Sequence, residues 1–95
     1  MISIIVTNYK TPELLKICLK AIKKSCQQIA KEIIVVDSET SRETAFVVSE
    51  VLPEAKLLPF KENVGYSRLV NRGIKESQGE YVFIIHARAT TKEKI

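Results

Sequence analysis

An aspartate at the end of a strongly apolar segment is the clearest candidate for chemistry in this sequence. Residues 33–36, IIVV, directly precede Asp37. Such a run without polar alternation is typical of a parallel strand covered on both faces, and open α/β sheets bind ligands at the carboxyl ends of these strands. The Asp37 carboxylate could accept a hydrogen bond from the N–H edge of a nucleobase, and Tyr9 could offer a stacking face. The local sequence fits equally well a structural role in which Asp37 caps the next helix.

Two further candidates follow another apolar segment, residues 81–85. His86, the only histidine of the sequence, could act as a catalytic group or as a ligand. Arg88 could hold a phosphate group or point into solvent. Neither GxGxxG nor GxxxxGK[ST] follows any strand, so dinucleotide-binding and Walker-type sites lose support.

Other polar residues lie next to predicted elements. Asn63 and Gly65 precede a helix whose N-terminus could receive an anion, although a turn and a helix cap alone would explain both. Asn71 lies within that helix, where it could be an exposed residue or bond to the backbone. Thr7 and Asn8 stand where a receiver domain would carry paired acids, so that regulatory class is disfavoured.

Composition indicates an ordinary globular domain. The chain has 95 residues, of which 45% are apolar, and its mean hydropathy is +0.01, as expected of a single folded domain. It has no run near the ~20 apolar residues of a membrane span and lacks the basic start of a signal peptide, which predicts a cytoplasmic protein. The net charge of +4 comes largely from lysines, and a solvated face is favoured over an anion or nucleic-acid patch.

The two cysteines do not indicate a disulfide. Cys18 and Cys26 lie in one predicted helix, so their Cα atoms should be roughly 12 Å apart, beyond the ~7 Å limit of a disulfide. The sequence has no CxxC and no Cys/His metal spacing. We therefore predict two buried apolar cysteines.

The remaining pattern predicts the elements that position these candidates. Apolar runs indicate four strands, and amphipathic stretches between them indicate three helices; the strands are at residues 2–6, 33–36, 55–58 and 81–85. Thr11 is the predicted N-cap of the first helix, and Gly79 is the predicted C-terminal signal of the third. The βαβαβαβ order predicts a doubly wound, three-layer α/β/α fold with a parallel sheet of order 3-2-1-4. We expect one domain over residues 1–95 with an irregular tail at 88–95.

Four segments of the chain resemble glycosyltransferase family 2. They are SIIVTNYKTPELLKICLKAI, EIIVVDSETS, NVGYSRLVNRGI and SQGEYVFII, in the order of the opening half of the family's A-type fold. The resemblance as a whole runs from Ile2 to about Thr90. The resemblance implies a nucleotide-sugar-binding half in which Asp37 hydrogen-bonds the base. It implies the following nucleotide-binding residues: Thr7, Asn8, Tyr9, Asp37, Asn63, Gly65 and Asn71.

The chain departs from the family where a divalent cation would bind. Family members carry Asp-x-Asp or Asn-x-Asp there, and this chain has His86, Ala87 and Arg88. A base replaces the second acid, which argues against ordinary coordination of Mg²⁺ or Mn²⁺, so no metal ligand is assigned. The acceptor-binding half and the catalytic base of the family would lie beyond Ile95.

The resemblance therefore implies a domain that binds a nucleoside diphosphate sugar and, if active, transfers its glycosyl group. Arg88 would then neutralise the leaving diphosphate. The alternative is a non-enzymatic nucleotide-binding or assembly subunit of the same fold. Residues 81–85 form an outer strand in the order 3-2-1-4, so a homodimer through this strand is also predicted, unless the tail folds over it.

Overall fold

Seven elements alternate along residues 1–88, which are the residues that this computed structural model describes. The four strands are β1 (Ile2–Tyr9), β2 (Lys31–Ser38), β3 (Lys56–Pro59) and β4 (Tyr81–His86). The three helices are α1 (Pro12–Ser25), α2 (Arg42–Val51) and α3 (Tyr66–Glu76). The predicted element order is therefore confirmed. Of the tail that was predicted to be irregular, Arg88 lies in a turn, and the other residues lie outside the described part of the chain.

The four strands form a parallel sheet in the order β3-β2-β1-β4. This confirms the predicted order 3-2-1-4, with β1 in the centre. At the carboxyl ends of the strands, Asn8 lies opposite Asp37 and Thr7 lies opposite His86. The carboxyl ends of β1, β2 and β4 therefore lie side by side at one end of the sheet. The direction of the chain across the sheet reverses between these strands, and folds of this kind bind their ligands at such a point.

Two helices cover the first face of the sheet. Alternating strand residues point to opposite faces, and Val6 and Val35 pack on this side against Leu15 and Leu19 of α1 and Val48 of α2. All five side chains are buried. Helix α1 can pack in this way because its apolar residues recur at helical spacing and form a single stripe.

The third helix covers the opposite face. Ile5 and Val36 pack there with Leu69 of α3. Gly73 lets α3 approach the sheet closely, since a Cβ atom at this position would lie 2.6 Å from Cγ2 of Ile5. Helices on both faces confirm the predicted three-layer arrangement.

Some element boundaries differ from the predictions. β1 continues to Tyr9 and β2 to Ser38, because backbone pairing extends past the apolar runs. Helix α3 ends at Glu76, and Gly79 is not its C-terminal residue. Instead the N–H of Gly79 donates a hydrogen bond of 2.8 Å to Oγ of Ser3. A Cβ atom at position 79 would lie only 2.6 Å from this Oγ atom, so a larger residue would block the contact. This glycine therefore permits close approach of two segments rather than a helix stop.

The outer strands differ in how they meet solvent. Lys56 of β3 is exposed and forms an ion pair with Glu76 at 3.1 Å, which agrees with the edge position predicted from this lysine. On β4 the side chains of Tyr81 and Phe83 are 69% and 54% exposed. Among residues 1–88 no further strand pairs with β4, so in this part of the chain the β4 edge is open and apolar.

Cys18 is buried on α1, Cys26 is half-buried, and no disulfide joins them.

Within residues 1–88, the helices are too short and too polar to cross a membrane.

Candidate functional site

Asp37 is completely buried at the carboxyl end of β2, and one of its oxygen atoms has no partner among residues 1–88. Its Oδ1 atom accepts a hydrogen bond of 2.9 Å from Nδ2 of Asn8. Its side chain is 0% exposed, and among residues 1–88 no group hydrogen-bonds to Oδ2. A buried carboxylate oxygen without a partner is costly. This oxygen is therefore available to a donor from a ligand.

The alternative role of Asp37, as a helix cap, is taken by another residue. Helix α2 has Ser41 at its N-cap, and Oγ of Ser41 accepts a hydrogen bond of 3.2 Å from N–H of Thr44. The backbone carbonyl of Asp37 accepts from N–H of Phe60 at 2.8 Å. The side chain of Asp37 is thus not used by the helix that follows it.

Asn8 is held at both ends of its amide group. Besides the bond that it donates to Asp37, its Oδ1 atom accepts a hydrogen bond of 2.8 Å from Oγ1 of Thr11. Asn8 is 1% exposed. Sequence analysis identified Thr11 only as an N-cap, but its side chain makes no capping hydrogen bond, so this contact was missed.

Three side chains at the ends of β1 and β2 contact one another. Oη of Tyr9 donates to Oε2 of Glu39 at 3.2 Å, and Nζ of Lys10 lies 3.1 Å from Oε1 of Glu39. Nζ of Lys10 also lies 5.6 Å from the centre of the Tyr9 ring. The hydrogen bond and the negative charge of Glu39 raise the pKa of Lys10 above its usual value. Glu39 was not among the predicted site residues.

A second group of candidates lies on the other face of the sheet. Thr7 is two residues from Ile5, so its side chain points to the α3 side. It is buried, and its hydroxyl group finds no partner among the described residues. Across the β1/β4 pair lies His86, whose ring stacks on Tyr66 with centroids 6.1 Å apart. The N–H of Arg88 donates to Nδ1 of His86 at 3.1 Å.

The predicted residues at the strand ends, Thr7, Asn8 and Asp37, therefore lie at the carboxyl end of the sheet but on its two opposite faces. Asn8 and Asp37 belong to the α1 side, because Val6 and Val35, two residues before them, pack against α1. Thr7 belongs to the α3 side. A ligand that contacts both groups must extend over the ends of the strands.

The loop before α3 is tied to the end of β2. Oγ of Ser38 lies 3.3 Å from Oδ1 of Asn63 and accepts a hydrogen bond from N–H of Val64 at 3.2 Å. Oδ1 of Asn63 also accepts from N–H of Gly65, which has a φ of 82° and is the N-cap of α3. Asn63 and Gly65 thus make the turn that places α3. Asn71 is exposed on α3, and within residues 1–88 no hydrogen bond joins it to the other candidates.

The position of the expected metal motif does not offer the ligands that a hard cation prefers. Ala87 is buried between His86 and Arg88, and Mg²⁺ and Mn²⁺ favour oxygen ligands. In the part of the chain that the structure describes, no three His, Cys, Asp or Glu residues cluster as metal ligands would. The residues at this position therefore do not fit a divalent cation.

A cleft of about 430 Å³ lies elsewhere, between the start of α1 and the length of α2. It is lined by residues of both charges and one exposed aromatic side chain: Glu13, Lys16, Arg42, Glu43, Phe46 and Glu50. None of the predicted site residues lines this cleft, and its mixed charges indicate no ligand class. The strand ends remain the better candidate site because two buried polar atoms there, Oγ1 of Thr7 and Oδ2 of Asp37, have no hydrogen-bond partner within residues 1–88.

Helices on both faces of a parallel sheet define an α/β fold of the doubly wound type, and buried polar side chains lie at the carboxyl ends of its strands, where such folds bind ligands. The sequence profile of "Glycosyl transferase family 2" matches residues 3–88. The chain belongs to this family, and the resemblance found in the sequence is confirmed. Among curated proteins, none matches the chain.

Two solved structures share the fold. The structure of TarS from S. aureus matches with a TM-score of 0.78 at 22% identity. The matched region covers 90% of the present chain and 16% of the TarS chain. The second structure is the mannosyltransferase PcManGT from Pyrobaculum calidifontis, in complex with GDP-Man and Mn²⁺. It matches with a TM-score of 0.69 at 26% identity, and the matched region covers 90% of the present chain and 27% of the PcManGT chain. The present chain thus spans only a small part of the length of either protein.

Proposed function

We propose that this chain is the nucleotide-sugar-binding part of a glycosyltransferase. The observation that carries the proposal is the buried Asp37 carboxylate, whose Oδ2 atom has no partner among the described residues. Membership of glycosyl transferase family 2 supports glycosyl transfer as the reaction class. The similar mannosyltransferase was solved with GDP-Man, which supports a nucleoside diphosphate sugar as the ligand.

In this proposal the base lies at the ends of β1 and β2. Oδ2 of Asp37 accepts a hydrogen bond from an N–H group of the base, and the Tyr9 ring offers an aromatic face to it. Asn63, Gly65 and Asn71 shape the wall towards α3. Guanine, uracil and thymine each present such an N–H group, so the proposal covers all three bases.

The diphosphate lies towards the end of β4, where Arg88 and His86 follow the strand. When the bond between the anomeric carbon and the diphosphate breaks, negative charge develops on the leaving oxygen. A guanidinium group stabilises that charge electrostatically. Arg88 takes this role because the neighbouring residues do not fit a divalent cation.

The experiment is a thermal unfolding series with UDP, GDP and dTDP at millimolar concentration. A ligand that binds only the folded state raises the melting temperature. We expect at least one of the three to do so, and Asp37→Asn to remove most of the gain while the variant still unfolds cooperatively. If none shifts the wild-type protein, the chain does not bind these nucleotides and the proposal is wrong.

We further propose a homodimer through β4. The N–H of Ala87 donates to the carbonyl of Thr7, and alternate residues of a strand bond to the same neighbour. Val82 and Ile84 therefore direct their backbone groups away from β1, towards the open edge. An open apolar edge of this kind is a template for pairing with a second strand.

In this dimer the β4 strands of two subunits would pair antiparallel, with a two-fold axis through Ile84. Glu80 and Arg88 flank β4 and lie just outside it, and counting outward from the axis would bring Glu80 near Arg88 of the partner subunit at each end. Glu80 is exposed and lies 3.5 Å from the N-terminal ammonium of Met1, so opposite charges would meet just beyond both ends of the paired strands. The cytoplasmic location expected from the sequence stays a prediction.

A further inference from the structure

Two hydrogen bonds join the hydroxyl group of Thr11 to Asp37 by way of Asn8. Oγ1 of Thr11 donates to Oδ1 of Asn8 at 2.8 Å, and Nδ2 of Asn8 donates to Oδ1 of Asp37 at 2.9 Å. Asn8 and Asp37 are both buried, and Thr11 is half-buried. A residue at the start of α1 is thus connected to the candidate base-binding carboxylate on β2.

The two hydrogen bonds fit one orientation of the Asn8 amide. A side-chain amide has an acceptor end and a donor end, and an ionised carboxylate can only accept. The NH₂ end of Asn8 must therefore face Asp37, and the hydroxyl of Thr11 holds the oxygen end in place by donating to it. The opposite orientation would place the amide oxygen of Asn8 against a carboxylate oxygen of Asp37, without a proton between them.

The hydroxyl of Thr11 is not needed by the helix that it precedes. Thr11 occupies the N-cap position of α1, but its side chain makes no capping hydrogen bond. Its backbone carbonyl accepts from N–H of Leu15 at 2.9 Å, and that bond does not involve the side chain. The hydroxyl therefore serves Asn8 rather than the helix.

We propose that Thr11 and Asn8 are positioning residues that hold the Asp37 carboxylate with Oδ1 occupied and Oδ2 open to the base. This inference rests on the proposed function, because the donor that Oδ2 awaits is the base of the nucleotide. It assigns to Asn8 an action through Asp37, whereas the family resemblance places Asn8 in the nucleotide pocket itself. Neither residue needs to touch the ligand.

The test compares Thr11→Val with Thr11→Ser by calorimetric titration of UDP, GDP and dTDP. Valine has the shape of threonine but no hydroxyl group, and serine keeps the hydroxyl group. Thr11→Val removes a hydrogen bond between two neutral groups and leaves the buried amide oxygen of Asn8 without this donor, so the affinity should fall about fivefold, while Thr11→Ser stays close to wild type. Inorganic pyrophosphate, which has no base, should bind all three proteins equally.

A double-mutant cycle distinguishes positioning from a general structural effect. In the Asp37→Asn background, Thr11→Val should cause no further loss of nucleotide affinity, because its effect passes through Asp37. If the two losses add in full, or if pyrophosphate binding falls in parallel, Thr11 does not act through Asp37 and the proposal is overturned.

A second measurement tests the chain of hydrogen bonds without any ligand. The side-chain amide protons of Asn8, observed by NMR, should exchange slowly with solvent in wild type and in Thr11→Ser and faster in Thr11→Val. Unchanged exchange in Thr11→Val would overturn the proposed bond chain even if nucleotides bind. If wild type binds no nucleotide, the proposed function fails and the positioning role fails with it, while the exchange rates still report on the bonds.

Discussion

Lys10 and Glu39 face each other across the carboxyl edge of the sheet, and both have left-handed backbone conformations. Nζ of Lys10 lies 3.1 Å from Oε1 of Glu39, and the φ angles are 52° and 50°. Neither residue is a glycine, so each conformation is strained. Backbone strain of this kind persists where the surroundings over-determine it, and it clusters at ligand sites.

The first prediction separates this strain from the ion pair. A left-handed conformation costs a non-glycine residue roughly 1–2 kcal/mol, whereas an exposed ion pair contributes at most about 1 kcal/mol. Glu39→Ala loses the ion pair with Lys10 and the hydrogen bond from Tyr9 and keeps the strain, so its free energy of unfolding should fall by about 1 kcal/mol. Glu39→Gly relieves the strain and should stay within about 0.5 kcal/mol of wild type.

Urea unfolding of both variants checks this expectation. Equal destabilisation by alanine and glycine would mean that the conformation of residue 39 is not strained. Lys10→Gln, which removes the charge at the other end of the pair, is the matched control for the ion pair alone.

The second prediction concerns pH and the opposite end of the sheet. The hydroxyl of Ser3 and the N–H of Gln78 both donate to Oε2 of Glu32, and these bonds hold the pKa of Glu32 below its usual value. A depressed folded-state pKa stabilises the protein above the pKa of the unfolded chain, and this contribution is lost as the pH falls through the folded-state pKa. Glu32→Gln should therefore destabilise the protein near neutral pH, and its effect should shrink as the solution becomes acidic.

Chemical unfolding of wild type and Glu32→Gln between about pH 7 and pH 3 measures the difference. Glu54→Gln is the control, because Glu54 is exposed and makes no hydrogen bond or ion pair within residues 1–88. A penalty for Glu32→Gln that is the same at both ends of this pH range would contradict the prediction.

The order of the strands could be predicted because each element carries its own pattern. Residues 33–36 are apolar without alternation, and α1 has apolar residues at helical spacing, so strand and helix are read locally. The end of β1 could not be read in this way, since Asn8 and Tyr9 are polar and their place in the strand depends on pairing with Asp37 and Ser38.

The site was only partly predictable for a related reason. Asp37 stood out because an acid follows a buried strand directly. The contacts from Asn8 to Asp37 and from Lys10 to Glu39 join residues 29 positions apart, so they depend on the register of two strands. The left-handed conformation of Glu39 also has no local signal, because glycine is the residue that normally marks it.

The third prediction concerns metal dependence. Because His86, Ala87 and Arg88 do not fit a divalent cation, the affinity for UDP, GDP or dTDP should be the same with Mn²⁺ as with EDTA. Arg88→Gln should lower that affinity about tenfold under both conditions, since a charge-assisted bond to the diphosphate is lost. Calorimetry that shows a tenfold gain with Mn²⁺ would contradict the prediction, and would indicate ligands outside residues 86–88.

The fourth prediction is the homodimer through β4. Sedimentation should give a mass of about twice the 10.7 kDa of one chain, because pairing of two β4 strands satisfies the backbone groups of Val82 and Ile84 and reduces exposure of apolar side chains. Ile84→Pro removes a backbone donor at the two-fold axis and should give a monomer.

Charge reversal provides a test that leaves the strand intact. Glu80→Arg alone should weaken the dimer, because it places like charges opposite each other at both ends of the paired strands. Glu80→Arg combined with Arg88→Glu should restore it, since opposite charges meet again. Lys56→Glu on the opposite edge, β3, is the control and should leave the dimer unchanged.

A wild-type protein that sediments as a monomer at about 100 µM, a concentration at which even micromolar association is visible, would refute the dimer. Recovery in the double variant would identify the register with Ile84 on the axis, because that register places residue 80 opposite residue 88.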